Sequence, residues 1–237
     1  MRTALLALTV GGAQLSARLS EAVEGGGTIY LPERLCGSIS EECDTVYFTH
    51  LADVIKTTFT RYDAMICVMA TGIVVRMLAP YVQSKLYDPA VLVFDEAGQH
   101  GISLLSGHIG GANELTRKLC TAVDADPVIT TATDVMGVLA PDVMAARLAL
   151  RPVPKSAIQV LNTALLARQE IAYYIASDLQ QAPFYEAQLR AQDIQARLFR
   201  GEIPPVGVNE YRVIIMRAKD VPNEHEPRTL YLTPRRL

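Results

Sequence analysis

At 237 residues the chain exceeds the usual single-domain size, so two domains are expected, with one large α/β domain as the alternative. Half of the residues are hydrophobic, but only 6 % are aromatic and there is no Trp, which leaves little for a base-stacking surface. A net charge of -3 argues against a nucleic-acid partner, and no apolar run approaches the roughly 20 residues of a membrane span, so a cytoplasmic protein with no membrane contact is expected.

The opening MRTALLALTV looks superficially like a secretory signal, yet it passes straight into an amphipathic pattern and reads as a buried first strand. Cys36, Cys43, Cys67 and Cys120 form no CxxC pair; two sit in apolar runs as core thiols, and reduced thiols fit the cytoplasm.

In chain order, residues 3–10 predict a strand, 12–23 a helix and 28–32 a strand, and the polar stretch 33–50 a surface loop. A helix follows over 52–62, a buried strand over 63–70 and a helix over 72–82 disturbed by Pro80. Residues 90–95 and 100–106, separated only by EAGQ, predict a hairpin. Residues 109–123 predict a helix and 127–132 a strand. Near Asp134 a second unit begins, with a helix over 154–170, a strand over 171–177, a helix over 186–199 and strands over 211–218 and 229–233. The expected fold is α/β: residues 1–134 form a mainly parallel open sheet with helices on both faces, and 135–237 a smaller α/β domain.

Three loops gather the chemistry. In LLSGHIGGANELTRKL a strand runs into a helix whose first-turn N–H groups suit a carboxylate or phosphate. Gly107, Gly110 and Gly111 let the backbone approach such a group, and Ser106 or His108 can bond it. The structural alternative is a tight strand-to-helix turn. His108 has the near-neutral pKa suited to acid/base work, although a loop histidine needs no catalytic role. Asn113 is intermediate, while Glu114 is expected to face outward near Arg117 and Lys118 as an ordinary ion pair. In MATGIVVR, Thr71 reads as an N-cap beside Gly72, with Arg76 one turn in. In VITTATDV, Thr130, Thr131, Thr133 and Asp134 crowd the end of a strand. KLYDPAVLVFDEAG adds Lys85 and Asp88, the latter a natural turn former before Pro89, and Asp95 and Glu96, a natural solvated hairpin tip. If the strands are parallel, all three loops leave at their carboxyl ends, where open α/β sheets bind ligands.

Residues 69–135, from ATGIVVR through SGHIGGANELTRKL to VITTATDV, closely resemble the cobalt-precorrin-5A hydrolase family, the G protein of the oxygen-independent cobalamin pathway. Residues 154–233 look like that family's middle domain. Family members usually continue into a C-terminal domain where this chain stops at Leu237, so the resemblance implies a truncated chain or one part of a split protein. It implies a carbon–carbon hydrolase that opens the ring-A δ-lactone of a cobalt-bearing contracted tetrapyrrole, after which the former bridging carbon leaves with its methyl group as acetaldehyde. No cofactor is expected, because the cobalt arrives with the substrate, and the four histidines show no metal-ligand spacing.

On that reading His108 is the favoured base or acid, with Asp134 or Asp88 as competitors. The N–H groups of Gly110 and Gly111 are candidates for an oxyanion or a peripheral carboxylate. Arg76, Lys85 and Arg117 are candidates for other carboxylates, and Thr71, Gly72, Ser106, Gly107, Asn113, Thr130, Thr131 and Thr133 complete the substrate-binding set. The implied partners are the corrinoid substrate, a separate C-terminal domain and other cobalamin-pathway enzymes; a homodimer is compatible. A serine hydrolase is disfavoured by the lack of a G-x-S-x-G elbow, and a dinucleotide site by the lack of G-x-G-x-x-G. The rival from another class is a non-catalytic corrinoid-binding or scaffold module of the same pathway.

Overall fold

The computed structural model describes residues 1–84, 87–108 and 110–234, and it divides into two compact units, Met1–Thr130 and Thr131–Leu237. The first is built on a seven-stranded sheet of order β3-β2-β1-β4-β5-β6-β7. Its strands are β1 (Thr3–Ala7), β2 (Thr28–Pro32), β3 (Thr45–Phe48), β4 (Ala64–Val68), β5 (Ala90–Phe94), β6 (His100–Leu105) and β7 (Asp126–Val128). Helices α1 (Val10–Ala22), α2 (Leu51–Arg61), α3 (Thr71–Leu78) and α4 (Ala112–Val123) join them.

Every residue of β1, β4 and β5 is buried, which is why these segments read as unbroken apolar runs: a strand covered on both faces has no side to leave polar. Alternation decides which cover each residue meets. Leu5, Ile66, Leu92 and Phe94 pack with Leu15 and Leu19 of α1 and Leu115 and Leu119 of α4. Leu6, Met65, Cys67 and Val93 point the other way, onto Ile55 and Phe59 of α2 and Val74 and Leu78 of α3. Helices therefore lie on both faces, as the alternating pattern predicted. α3 stops at Leu78, two residues before Pro80, whose ring cannot continue a helix.

Burial pushes the Cys67 thiol up to about 12 and is also the main cause that brings Cys120 to about 11, whereas Cys36 is exposed. Because the thiolate is the nucleophile, alkylation at mildly alkaline pH is expected to label Cys36 and spare Cys67 and Cys120 until the unit unfolds. Mass spectrometry of labelled peptides checks this, and equal labelling of Cys67 and Cys36 would contradict the packing.

The second unit carries a five-stranded sheet of order β10-β9-β11-β12-β8. Its elements are α5 (Ala132–Val135), α6 (Pro141–Arg147), β8 (Leu150–Val153), α7 (Ser156–Leu166), β9 (Ile171–Ala176), α8 (Ala182–Arg190), β10 (Ala196–Phe199), β11 (Tyr211–Ile215) and β12 (Thr229–Pro234). All pairings are parallel except β8 on β12. No helix among the described residues is long and apolar enough to cross a membrane.

Three sequence expectations need correction. The loop expected over 33–50 contains β3, which adds to the sheet edge by parallel pairing with β2. The helix expected over 186–199 is α8 followed by a turn, with Asp193 at φ 57, and the edge strand β10. The strand expected over 127–132 ends at Val128, and Thr131 caps the short helix α5 instead.

Candidate functional site

The strand order of the first unit reverses between β1 and β4: β2 and β3 follow on one side, β4 to β7 on the other. At such a switch point the connections diverge to opposite faces and leave a crevice at the carboxyl ends. A cleft of about 610 Å³ lies there, with Val68 and Val93 in its wall and Thr9, Thr71, Asp95, Glu96 and His100 among its polar lining.

Two helices begin at this cleft. The Thr9 hydroxyl caps α1 by accepting the Gly12 N–H at 3.1 Å, while the N–H groups of Val10 and Gly11 have no partner among the described residues. α3 is capped by Ala70 rather than by Thr71, which is its first residue; Ala70 O accepts from Ile73 N and Val74 N, and the N–H groups of Thr71 and Gly72 have no described partner. The N-terminal turns of α1 and α3, each with two unused amides and a partial positive charge, thus border the cleft that Thr9 and Thr71 line. A Cβ at Gly11 would lie 2.7 Å from Glu96 Oε1, the end of an exposed side chain that can swing aside.

The hairpin tip is tied by Asp95, whose carboxylate accepts from the N–H groups of Ala97 (3.0 Å), Gln99 (3.2 Å) and His100 (2.6 Å). Partial burial by itself raises its pKa, but these three bonds and the charge of His100 prevail and hold it below the usual carboxylate range. A pKa depressed by folding adds stability that is complete above the unfolded value of about 3.9 and is lost as pH falls through the folded one. Asp95→Asn is accordingly expected to be less stable than wild type at neutral pH, with the gap closing on acidification. Urea denaturation across that range reads it, and a gap independent of pH would contradict the assignment.

The SGHIGGAN loop lies elsewhere. β6 runs antiparallel to β5, with Val91 opposite Leu105 and Phe94 opposite Gly101, so the chain leaves β6 at the amino ends of β4 and β5. The loop bearing His108 and the turn bearing Thr71 therefore depart from opposite ends of the sheet, roughly 15 Å apart along a five-residue strand. This overturns the common rim expected for the two. The five-residue connection from Phe94 to His100 can close only an antiparallel pair, so the hairpin itself inverts β6.

Within that loop the unusual residues are largely committed to one another. Ser106 holds φ 57, its hydroxyl donates to Asp88 O at 2.9 Å, and its own carbonyl accepts from Ala112 N at 3.2 Å. Gly107 O accepts from Asn113 N at 3.0 Å, and buried Asn113 receives the Ser103 hydroxyl on Oδ1 at 2.6 Å. The Gly111 N–H, expected as an oxyanion donor, bonds His108 O at 3.0 Å. The first-turn amides of α4 are thus taken up by the loop, unlike those of α1 and α3. His108 is half-buried, and Glu114 and Arg117 face outward as expected.

The other expected residues are dispersed. Asp88 accepts from Gln83 N and Ser84 N at 3.0 Å, the turn-forming role its position before Pro89 suggests. Arg76 folds back so that Nη1 donates to Gly72 O at 3.0 Å. Lys85 lies outside the described residues. Thr130 ends the first unit, beyond β7, which runs parallel to β6 and so leaves the sheet at the same end as His108. Thr131, Thr133 and Asp134 open the second unit on α5, with Thr133 buried. Among the described residues no three His, Cys, Asp or Glu side chains are grouped to hold a metal. Thr9 and His100 were not singled out by sequence reasoning; the hairpin signal, followed through to the reversal of β6, would have placed His100 at the carboxyl ends of β4 and β5.

Residues 53–134, which contain all of β4 to β7 with α3 and α4, match the family model for the cobalamin synthesis G N-terminal domain. A protein from Salmonella typhimurium named cobalt-precorrin-5A hydrolase is 44 % identical over 177 residues, covering 74 % of this chain and 49 % of that protein. Residues 53–134 thus match the N-terminal domain of the cobalamin synthesis G family. A second member of the family, the cobalt-precorrin-5A hydrolase of Priestia megaterium, is 37 % identical over 144 residues, 61 % of this chain and 38 % of its own length. The chain therefore spans about half or less of these cobalamin synthesis G relatives. A crystal structure described as a cobalamin biosynthesis protein G homolog from Sulfolobus solfataricus aligns with 98 % of the chain and 60 % of its own length, at 21 % identity and a TM-score of 0.48.

Proposed function

We propose that this chain is the substrate-binding portion of a cobalt-precorrin-5A hydrolase and holds its corrinoid at the carboxyl ends of β1 and β4. The observation that carries the reading is that the N-terminal turns of α1 and α3, which hold four unused amides between them, border one 610 Å³ cleft lined by Thr9 and Thr71 in a chain similar to this family. A corrinoid intermediate carries several acetate and propionate groups, and a carboxylate at a helix N-terminus gains charge-assisted hydrogen bonds without needing a basic side chain. That resolves the tension between an anionic ligand and a net charge of -3. Opening of the ring-A lactone places negative charge on the former carbonyl oxygen, and the same amides suit that oxyanion.

A corrinoid-binding module without its own turnover is the second reading, favoured by the half-length coverage of the named hydrolases. Cobalt-precorrin-5A supplied anaerobically separates them. Acetaldehyde release by the chain alone supports a complete hydrolase; release only after addition of the region that it does not span in its relatives makes the chain one partner of two. Binding without release in both arms supports the module, and absence of binding contradicts both readings.

A variant pair addresses the rim directly. Gly11→Asp, which adds a carboxylate against Glu96 at the start of α1, is expected to weaken corrinoid binding by at least tenfold through like-charge repulsion. Absorbance titration measures it, with Gly11→Ser as the control for size alone. Equal losses in the two variants would remove the electrostatic explanation.

A further inference from the structure

We propose that His100, positioned by Asp95, is the group that moves the proton in lactone opening, an inference that rests on the hydrolase activity proposed above. The titratable side chains lining the cleft are Asp95, Glu96 and His100, and their settings differ. Asp95 is occupied by three backbone N–H groups, and its Oδ2 lies 3.5 Å from His100 Nδ1. A carboxylate fixed in this way favours the proton on Nδ1 and leaves Nε2 with the lone pair, the arrangement a general base needs. The long Nδ1 to Oδ2 separation is of the kind that shortens when substrate excludes water. Glu96, by contrast, is exposed, with its carboxylate over Gly11 at the start of α1, and no carboxylate or backbone group described orients it as Asp95 orients His100.

The step balances without a co-reactant. Water adds to the lactone carbonyl carbon as His100 Nε2 takes its proton, and the oxyanion is met by the amides that open α3. The carbon–oxygen bond of the ring then breaks, and the imidazolium returns the proton to the departing oxygen. One water is consumed, leaving a carboxylic acid and an alcohol whose carbon is poised to leave as acetaldehyde. His108, at the opposite end of the sheet, cannot serve the same carbonyl.

The test measures acetaldehyde release and corrinoid binding for wild type, His100→Ala, His100→Gln and Glu96→Gln under anaerobic conditions. Both His100 variants are expected to lose about 10²-fold or more in kcat while binding the corrinoid as wild type does, and free imidazole should restore part of the rate in His100→Ala but not in His100→Gln. A wild-type rate in His100→Gln, or a full loss in Glu96→Gln instead, overturns the assignment. So does a rate loss accounted for by weaker binding or a lower melting temperature, which marks a structural role. Wild-type chain that binds without releasing acetaldehyde, both alone and with the region that it does not span in its relatives added, contradicts the hydrolase reading itself, and the proton-transfer role falls with it.

Discussion

Valine at position 101 is expected to destabilise the first unit more than any single change in its surface loops. Gly101 sits in β6 opposite Phe94, and a Cβ there would collide with Cys120 Sγ and stand 2.7 Å from Phe94 Cε1. Neither neighbour has room to give. Phe94 is fully buried among residues of α1 and α4, and Cys120 is itself buried on α4. Overpacking a close-packed core by a methyl group costs about 1–3 kcal/mol, so alanine already lowers the melting temperature by roughly 4 °C per kcal/mol, and valine by more. Thermal denaturation followed by circular dichroism reads the shift. An unchanged midpoint in Gly101→Val would mean that β6 does not pack against α4 as described.

The second large effect is expected at Gly110, and the instructive comparison is with its neighbour. A Cβ on Gly110 would meet Ser106 Cβ and lie 2.8 Å from the Ser106 carbonyl oxygen. Ser106 cannot retreat, because its hydroxyl is bonded to Asp88 O, its carbonyl to Ala112 N, and its backbone is already in the left-handed region. Gly111 also has positive φ, at 81°, but nothing lies within 4 Å of its missing Cβ. Gly111→Ala should therefore carry only the conformational penalty of about 1–2 kcal/mol, whereas Gly110→Ala adds a steric clash with main chain and should cost more. Urea denaturation of the two single variants gives the order directly. Equal costs, or the reverse order, would contradict the packing of this loop.

These two glycines also show how far the sequence could be read. GHIGG announces a special turn, and the surplus of glycine and hydroxyl there is explained by close approach and backbone strain around Ser106. What the string does not carry is direction. The buried runs at 64–68 and 90–94 were legible because strands covered on both faces keep no polar side. The short link EAGQ after Asp95 was legible as a hairpin, and that antiparallel turn is what sends the histidine loop to the far end of the sheet. Local pattern gave no comparable handle on β3, whose residues Val46 and Tyr47 are exposed at an edge, or on β10, where Leu198 is exposed and pairing with β9 decides the conformation. Asp95 and Glu96 read as a solvated tip, and Asp95 does tie the turn. Their place beside two helix starts depends on strand order, which no spacing in the chain encodes.

Amide hydrogen exchange with and without cobalt-precorrin-5A tests the location of the corrinoid most directly. The amides of Val10, Gly11, Thr71 and Gly72, which have no partner among the described residues, are expected to slow on binding. Protection confined to residues 106–112, with no change at those four, would place the ligand at the other end of the sheet and contradict the cleft between β1 and β4.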